Sequence, residues 1–266
     1  MVQQVIDMHQ HLDDMRDAAP LAEAYAACGV RKAVLLGHPP NQVPGNNEIV
    51  LEASRRFAEL YVPFMGFDLD GMRAEDVDRA RDAGFAGLKL IGPRRRYNHR
   101  RYSPVYKRAA ELGMPILFHL GIVANFGPWS HCDSSLMRPV YLDHIARTHP
   151  GLKVIGAHFG NPWCTEAAMC CRANTNLFFD LSGSLLQSVT SEFIGRLLWW
   201  TPATSSSSPD RAYAWERIVF GSDVPHLYLR EAMDGYARLL EELKVSRELR
   251  DAVWHDTGAR LLGLSE

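Results

Sequence analysis

The chain has 266 residues, of which 47% are hydrophobic, so it is long enough to bury a full core. Its formal net charge of -2 provides no broad basic field, which argues against nucleic acid or an anionic membrane as a partner. We therefore expect one domain, residues 1–266, that acts on a small molecule.

Eight short apolar segments follow one another along the chain, with amphipathic segments of helical length between them. The predicted strands are residues 2–8, 32–36, 61–67, 87–91, 115–120, 153–157, 177–181 and 217–221. The predicted helices, with apolar residues at three- and four-residue intervals, are residues 47–60, 74–83, 104–112, 138–148 and 192–200. Parallel strands joined by crossover helices alternate in this way. The predicted fold class is therefore α/β, a single-domain (β/α)8 TIM barrel.

Local signals mark several element ends. Asn46 and Ser103 are predicted N-caps, and Gly84 and Gly113 follow helical segments where a left-handed residue fits. The segment 204–209, which contains four consecutive serines, is predicted to be a mobile surface loop before the last strand.

The segment Asp7-Met8-His9-Gln10-His11 is the strongest local signal for chemistry. Residues two apart on a strand point to the same side, so His9 and His11 can present two imidazoles to one ion. Taken alone, the pair is better explained as two polar residues at a strand end.

Three later predicted strands also end in polar residues, namely His119, His158 and Asp223. Each is by itself better explained as a hydrogen-bonded strand end, but in a barrel such ends converge on one pocket. Together with His9 and His11 they predict a metal site. Imidazole and carboxylate ligands suit zinc, and also manganese, iron or nickel.

These motifs, in their order along the chain, resemble the amidohydrolase superfamily. The similarity is strongest to the branch of aminocarboxymuconate-semialdehyde decarboxylase, related aromatic-acid decarboxylases and dicarboxylate lactonases. The matching segments are residues 7–11, 87–90, 118–121, 157–160, 220–223 and 258–264. The resemblance implies one divalent ion, zinc by preference, bound by His9, His11, His119 and Asp223. His158 would then lie just outside the ligand shell, and His158 and Asp223 are the two candidates for the base that deprotonates an activated water.

Lys89 ends the fourth predicted strand, where some members of the superfamily carry a carboxylated lysine between two ions. Lys89 therefore allows a site with two ions as an alternative, although single-metal members of the branch also have a lysine here. The simpler explanation is an ammonium group that lines the barrel and pairs with a carboxylate.

Residues 92–101, after that strand, contain five arginines, and Arg94 and Arg95 could clamp a substrate carboxylate. A solvated charged loop explains each of them equally well. Trp129 and Trp163 follow predicted strand ends and could form aromatic walls, although such residues most often simply pack.

Four further polar residues near strand ends receive other interpretations. Asp180 is expected to orient a ligand histidine or line the pocket rather than bind the metal. His38, His131 and His226 are expected to be structural.

We therefore expect a metal-dependent hydrolase in which an activated water attacks a small, carboxylated lactone, ester or amide. The alternative is a non-oxidative decarboxylase or hydratase of an unsaturated or aromatic acid, and a non-catalytic metal-binding scaffold is least favoured. Five cysteines without paired spacing, and no basic start followed by an apolar stretch, indicate the cytoplasm. The sequence is compatible with a homo-oligomer.

Overall fold

Eight parallel strands form the centre of the molecule, in the order β1-β2-β3-β4-β5-β6-β7-β8. The computed structural model describes residues 4–203 and 212–264. The strands are β1 Val5–His11, β2 Val30–Leu36, β3 Tyr61–Gly66, β4 Gly87–Leu90, β5 Ile116–Phe118, β6 Val154–Gly156, β7 Leu177–Asp180 and β8 Ile218–Val219. Hydrogen bonds from Met8 N to Phe220 O (2.9 Å) and from Asp223 N to His9 O (2.8 Å) join β1 to the end of β8. The predicted TIM barrel is confirmed.

Helices follow most strands and cover the outside of the barrel. In the described ranges they are α1 Ala18–Cys28, α2 Asn46–Arg56, α3 Ala74–Ala83, α4 Ser103–Glu111, α5 Pro139–Thr148, α6 Cys164–Ala173, α7 Leu185–Ser188, α8 Ser191–Leu197, α9 Leu229–Glu242, α10 Arg247–Asp251 and α11 Thr257–Leu262. The sequence analysis did not predict the long helices α1, α6 and α9 or the short helices α7, α10 and α11. The many alanine and cysteine residues of α1 and α6 make the apolar face of each helix hard to recognise in the sequence. The sequence of α9, in contrast, has a clear amphipathic pattern.

Two apolar clusters hold the fold together, because each strand is buried on both faces. One fills the inside of the barrel and includes Ile6, Leu36, Phe64, Leu117 and Val219. The other lies between the strands and the helix layer. Closed packing inside the barrel confines polar chemistry to the rim at the carboxyl ends of the strands.

A bulge in β1 decides how its histidines point. Asp7 pairs with Ala33, whereas Gln10 pairs with Leu35, so β1 has one more residue than β2 in this interval. Met8 belongs to the interior cluster, and strict alternation would place His9 on the opposite face. The extra residue lets His9 as well as Met8 face inward.

Some predicted element ends were wrong by a residue. Asn46 and Ser103 begin α2 and α4 rather than capping them. The Asn46 side chain instead accepts a hydrogen bond from His38 N (2.8 Å) and donates one to Leu12 O (2.9 Å), which ties together the loops after β1 and β2. Gly84 and Gly113 do adopt left-handed conformations, with φ of 107° and 67°.

The predicted loop at 204–209 lies outside the described residues. No helix within residues 4–203 and 212–264 combines the length and the apolar character that crossing a bilayer requires.

Candidate metal centre

Polar side chains from three strand ends meet at the mouth of the barrel. His9 and His11 come from β1, His119 directly follows β5, and Asp223 follows β8. The Asp223 Oδ1 atom lies 3.6 Å from His9 Nε2 and 3.8 Å from His11 Nε2. One ligand atom each from His9, His11 and Asp223 lie within 4.8 Å of one another, which is a spacing that one cation can bridge.

Unusual backbone conformations present two of these side chains. Asp223 has a φ of 50° and His158, in the turn after β6, has a φ of 57°, both in the left-handed region that non-glycine residues rarely adopt. Such residues cost on the order of 1–3 kcal/mol each and occur mostly at functional sites. The bond from Asp223 N to His9 O and a bond from His158 N to Asp180 Oδ1 (2.8 Å) hold these conformations.

Hydrogen bonds orient the two rings of β1. His9 Nδ1 donates to Asp180 Oδ2 (2.8 Å), and His11 Nδ1 donates to the Leu36 carbonyl (3.0 Å), since neither oxygen can donate in return. Each ring therefore carries a proton on Nδ1, and the lone pair of the neutral ring is on Nε2, the atom that faces Asp223. Metal-binding histidines are usually fixed in this way.

His158 is held by a second arm of the same network. The Ser182 hydroxyl donates to Asp180 Oδ1, so its oxygen is free to accept from His158 Nδ1 at 2.9 Å. This assigns the lone pair to His158 Nε2, which lies 3.8 Å from Asp223 Oδ2. The ring thus presents a basic nitrogen beside the candidate ligand Asp223.

Burial favours the neutral form of three imidazoles, those of His11, His119 and His158. Desolvation, aided by the nearby charge of other histidines and Lys89, holds the pKa values of His11 and His119 well below their usual range. Desolvation also lowers the pKa of His158. Neutral rings are the form that binds metal and accepts protons.

One unsatisfied atom favours a bound ion. Within the described part of the chain, His119 Nε2 is buried and has no hydrogen-bond partner. Leaving a buried polar atom unpaired costs about 1–3 kcal/mol. His119 lies next to His158, with ring centroids 4.9 Å apart. An unpaired ring nitrogen that lines the same cavity as His9, His11 and Asp223 fits a divalent cation.

A second group, His9, His158 and Asp180, is also close enough to hold an ion. The hydrogen bonds from His9 and from Ser182 already account for the closeness of these side chains to Asp180. We therefore assign Asp180 to orienting the histidines, as the sequence analysis expected.

Lys89 lies at the bottom of the site and is only 1% exposed. Desolvation lowers the pKa of its ammonium group to about 8. Its Nζ atom is 3.1 Å from His9 Nε2 and so approaches the lone pair that a metal would use.

The site opens into a cavity of about 630 Å³, hereafter the large cavity. Seven predicted site residues line it: His9, His11, Lys89, His119, Trp129, His158 and Asp223. His38 and His226 line it too, although the sequence analysis assigned them structural roles. The His38 ring stacks on His11, with centroids 4.5 Å apart. This contact joins two strand ends, and the sequence alone does not predict it.

Arg94, Arg95 and Trp163 are not among the residues that line the large cavity, so the structure does not bring them together with the other predicted site residues. Asp70 draws the arginine loop aside, because it accepts from Arg94 N (2.7 Å) and pairs with the Arg95 guanidinium (3.3 Å). Trp163 packs under the Arg138 guanidinium instead.

Several supporting residues lie within the motif segments, but their contacts could not be predicted from the sequence. Asp7 accepts hydrogen bonds from Tyr25 Oη (2.8 Å) and Ser222 N (3.0 Å), which fixes the residue before Asp223 against β1. Gly221 is required because a Cβ there would lie 2.8 Å from the Cβ of His9. These contacts join residues that are far apart in the chain.

A family model described as amidohydrolase matches residues 6–264. The chain belongs to the amidohydrolase family. The resemblance seen in the motifs is thus confirmed, and the protein is an enzyme of the metal-dependent amidohydrolase type. No curated protein matches the chain.

Solved structures share this fold at low identity. An uncharacterized TIM-barrel protein of Bordetella bronchiseptica is 18% identical, with a TM-score of 0.74 over 98% of this chain and 99% of that one. A 2,6-dihydroxybenzoate decarboxylase of Rhizobium is 15% identical, with a TM-score of 0.67 over 99% of each chain. An amidohydrolase of Burkholderia multivorans with bound zinc is 15% identical, with a TM-score of 0.69 over 98% of this chain and all (100%) of that one. Identities this low show a common fold only.

Proposed function

We propose that this amidohydrolase hydrolyses the carbonyl group of a small, carboxylated ester, amide or lactone. One divalent ion, zinc by preference, would be held by His9, His11, His119 and Asp223. The zinc in the Burkholderia amidohydrolase supports this choice of metal. The observation that carries the proposal is His158, whose neutral ring presents Nε2 beside the ligand set with its other nitrogen fixed by Ser182.

When bound, a divalent ion supplies Lewis acidity that lowers the pKa of a water and polarises a carbonyl. His158 Nε2 accepts a proton from the attacking water, because burial keeps this ring unprotonated at neutral pH. The Ser182 and Asp180 chain holds the ring in place and stabilises the imidazolium while it carries the proton. His158 then returns that proton to the leaving atom.

The cavity supplies binding groups for a small acid. Lys89 is the one lysine or arginine that lines the large cavity in the described ranges, so a substrate carboxylate would pair with it rather than with the loop arginines. Its closeness to His9 favours one ion over two. Leu12, Ile91 and Trp129 provide apolar walls.

Decarboxylation of an aromatic acid is the second candidate. Phe126 and Trp129 line the large cavity, and aromatic side chains suit a flat ring. The Rhizobium decarboxylase, which acts on an aromatic acid by its name, has the same fold.

A metal-dependent screen tests the proposal. The protein is stripped with a chelator, reloaded with zinc, manganese, iron or nickel, and offered esters, amides, lactones and aromatic acids. We expect the protein to release an acid product without releasing carbon dioxide. This activity should disappear when the metal is removed and return when metal is added. Carbon dioxide release would identify the decarboxylase instead, and full activity without metal would contradict both.

The variant His158→Asn tests the proposed base. We expect kcat to fall about 10²–10⁴-fold while zinc affinity stays within about threefold, since a general base acts only in the chemical step. His144→Asn, on an exposed position of α5, is the matched control. Normal turnover in His158→Asn would reject the role assigned to this ring.

A further inference from the structure

The metal centre borders two cavities rather than one. His119, His158 and Asp223 line the large cavity of about 630 Å³, and the same three residues line a second cavity of about 340 Å³, hereafter the small cavity. The cavities therefore meet at the reacting groups. A molecule bound at the metal can extend into both.

The two cavities differ in character. In the large cavity, Ile91, Val123, Phe126 and Trp129 offer a broad apolar and aromatic lining. The small cavity lies between the loops after β5, β6 and β7, and its lining includes the polar side chains of Asn161 and Ser184. It reaches the surface at Ile122, whose side chain is 63% exposed.

Hydrolysis of an acyclic ester or amide requires room on two sides of the carbonyl carbon, because the acyl group and the leaving group diverge from it. Water forms a bond to that carbon, the bond from carbon to the leaving oxygen or nitrogen breaks, and one water proton ends on the leaving atom. His158 faces both cavities and so stands where that proton must be passed on. Decarboxylation needs no second organic subsite.

We propose that the small cavity is a leaving-group subsite, which rests on the proposed hydrolytic function. The substrate is then an acyclic ester or amide with an aromatic or branched apolar acyl group, whose carboxylate lies on that acyl group. The leaving alcohol or amine is small and polar. Asn161 and Ser184 hydrogen-bond to it, and it departs past Ile122.

Hydroxamates test this arrangement, because they bind zinc and carry one substituent on each side of the chelating group. The probes are benzohydroxamate and its N-(2-hydroxyethyl) derivative, titrated calorimetrically into the zinc-loaded protein. We expect the wild type to bind both within about threefold. Ile122→Trp and Ser184→Trp, which fill the small cavity, should weaken the N-substituted probe at least tenfold and leave benzohydroxamate within threefold.

Two further variants serve as controls. Trp129→Ala should weaken both probes alike, since it widens the large cavity alone. Leu227→Trp should change neither, because Leu227 is 77% exposed on the same face and lines neither cavity.

The outcomes separate the two proposals. If benzohydroxamate binds in a zinc-dependent way but the wild type rejects the N-substituted probe, the leaving-group subsite is wrong and the metal centre stands. If Ile122→Trp and Ser184→Trp weaken the binding of both probes equally, the leaving-group subsite is also wrong and the metal centre stands. If zinc does not bind, or benzohydroxamate binds without zinc, the proposed function fails and the subsite with it.

Discussion

Replacing Asp180 by asparagine should weaken zinc binding without removing a ligand. The Asp180 carboxylate is fully buried and accepts from four donors, namely His9 Nδ1, His158 N, Ser182 N and the Ser182 hydroxyl. An asparagine side chain has nearly the same shape, but it puts an NH2 group where one oxygen stood. At least one of these four donors then faces another donor.

The magnitude follows from what His9 loses. Without an acceptor at Nδ1, the His9 proton can move to Nε2, where it blocks the lone pair that faces Asp223. Loss of a partner behind a metal-binding histidine typically reduces metal affinity 10- to 100-fold. That factor corresponds to about 1.4–2.7 kcal/mol, which agrees with the roughly 1.5–3 kcal/mol of a hydrogen bond to a charged group.

The assay is zinc affinity, measured by competition with a chromophoric chelator. Ser182→Ala is the matched control, because it removes the contact to His158 Nδ1 and leaves the bond between His9 and Asp180 in place. We expect Ser182→Ala to bind zinc within about threefold of wild type and to lose turnover. A folded Asp180→Asn protein with wild-type zinc affinity would refute this reasoning, as would equal losses in the two variants.

Two further predictions concern stability and packing. Histidines of the unfolded chain become protonated near pH 6.5, whereas His11 and His119 stay neutral in the folded metal-free protein. Acidification from pH 7.5 to 5.5 therefore lowers the free energy of unfolding by about 1.4 kcal/mol for each of these two histidines. Urea unfolding of the double variant His11→Gln, His119→Gln should therefore lose about 3 kcal/mol of this pH dependence, and an unchanged dependence would contradict the assignment. In Gly221→Ala, the new Cβ would lie 2.8 Å from the His9 Cβ, so we expect about 1–3 kcal/mol of destabilisation in the same assay. Gly151→Ala, where a Cβ meets no atom of the described residues within 4 Å, should be near neutral, and equal effects would count against the packing argument.

The barrel could be predicted because its strands are recognisable as short apolar segments of the sequence. Apolar runs such as 32–36 and 177–181 are buried on both faces, and the regular alternation with helices leaves few other folds. The bulge in β1 could not be predicted, since nothing between Asp7 and Gln10 signals the additional residue. It nevertheless decides that His9 faces the site.

The meeting of the candidate ligands at the barrel mouth was predictable for the same reason, since His119 and Asp223 follow apolar segments that converge in a barrel. Residues that act through distant contacts were not, and Ser182 is an ordinary loop serine until β7 brings it beside His158. The position of the arginine loop also depends on distant contacts. Charge alone suggested a substrate clamp, but the direction of Arg95 depends on Asp70, which follows a different strand.

X-ray absorption at the zinc edge of the zinc-loaded protein tests the central claim most directly. We expect a first shell of nitrogen and oxygen at about 2.0–2.1 Å with the outer-shell scattering of imidazole, and less imidazole scattering in His119→Ala. A sulfur shell near about 2.3 Å, or a spectrum that His119→Ala leaves unchanged, would contradict a centre built from His9, His11, His119 and Asp223.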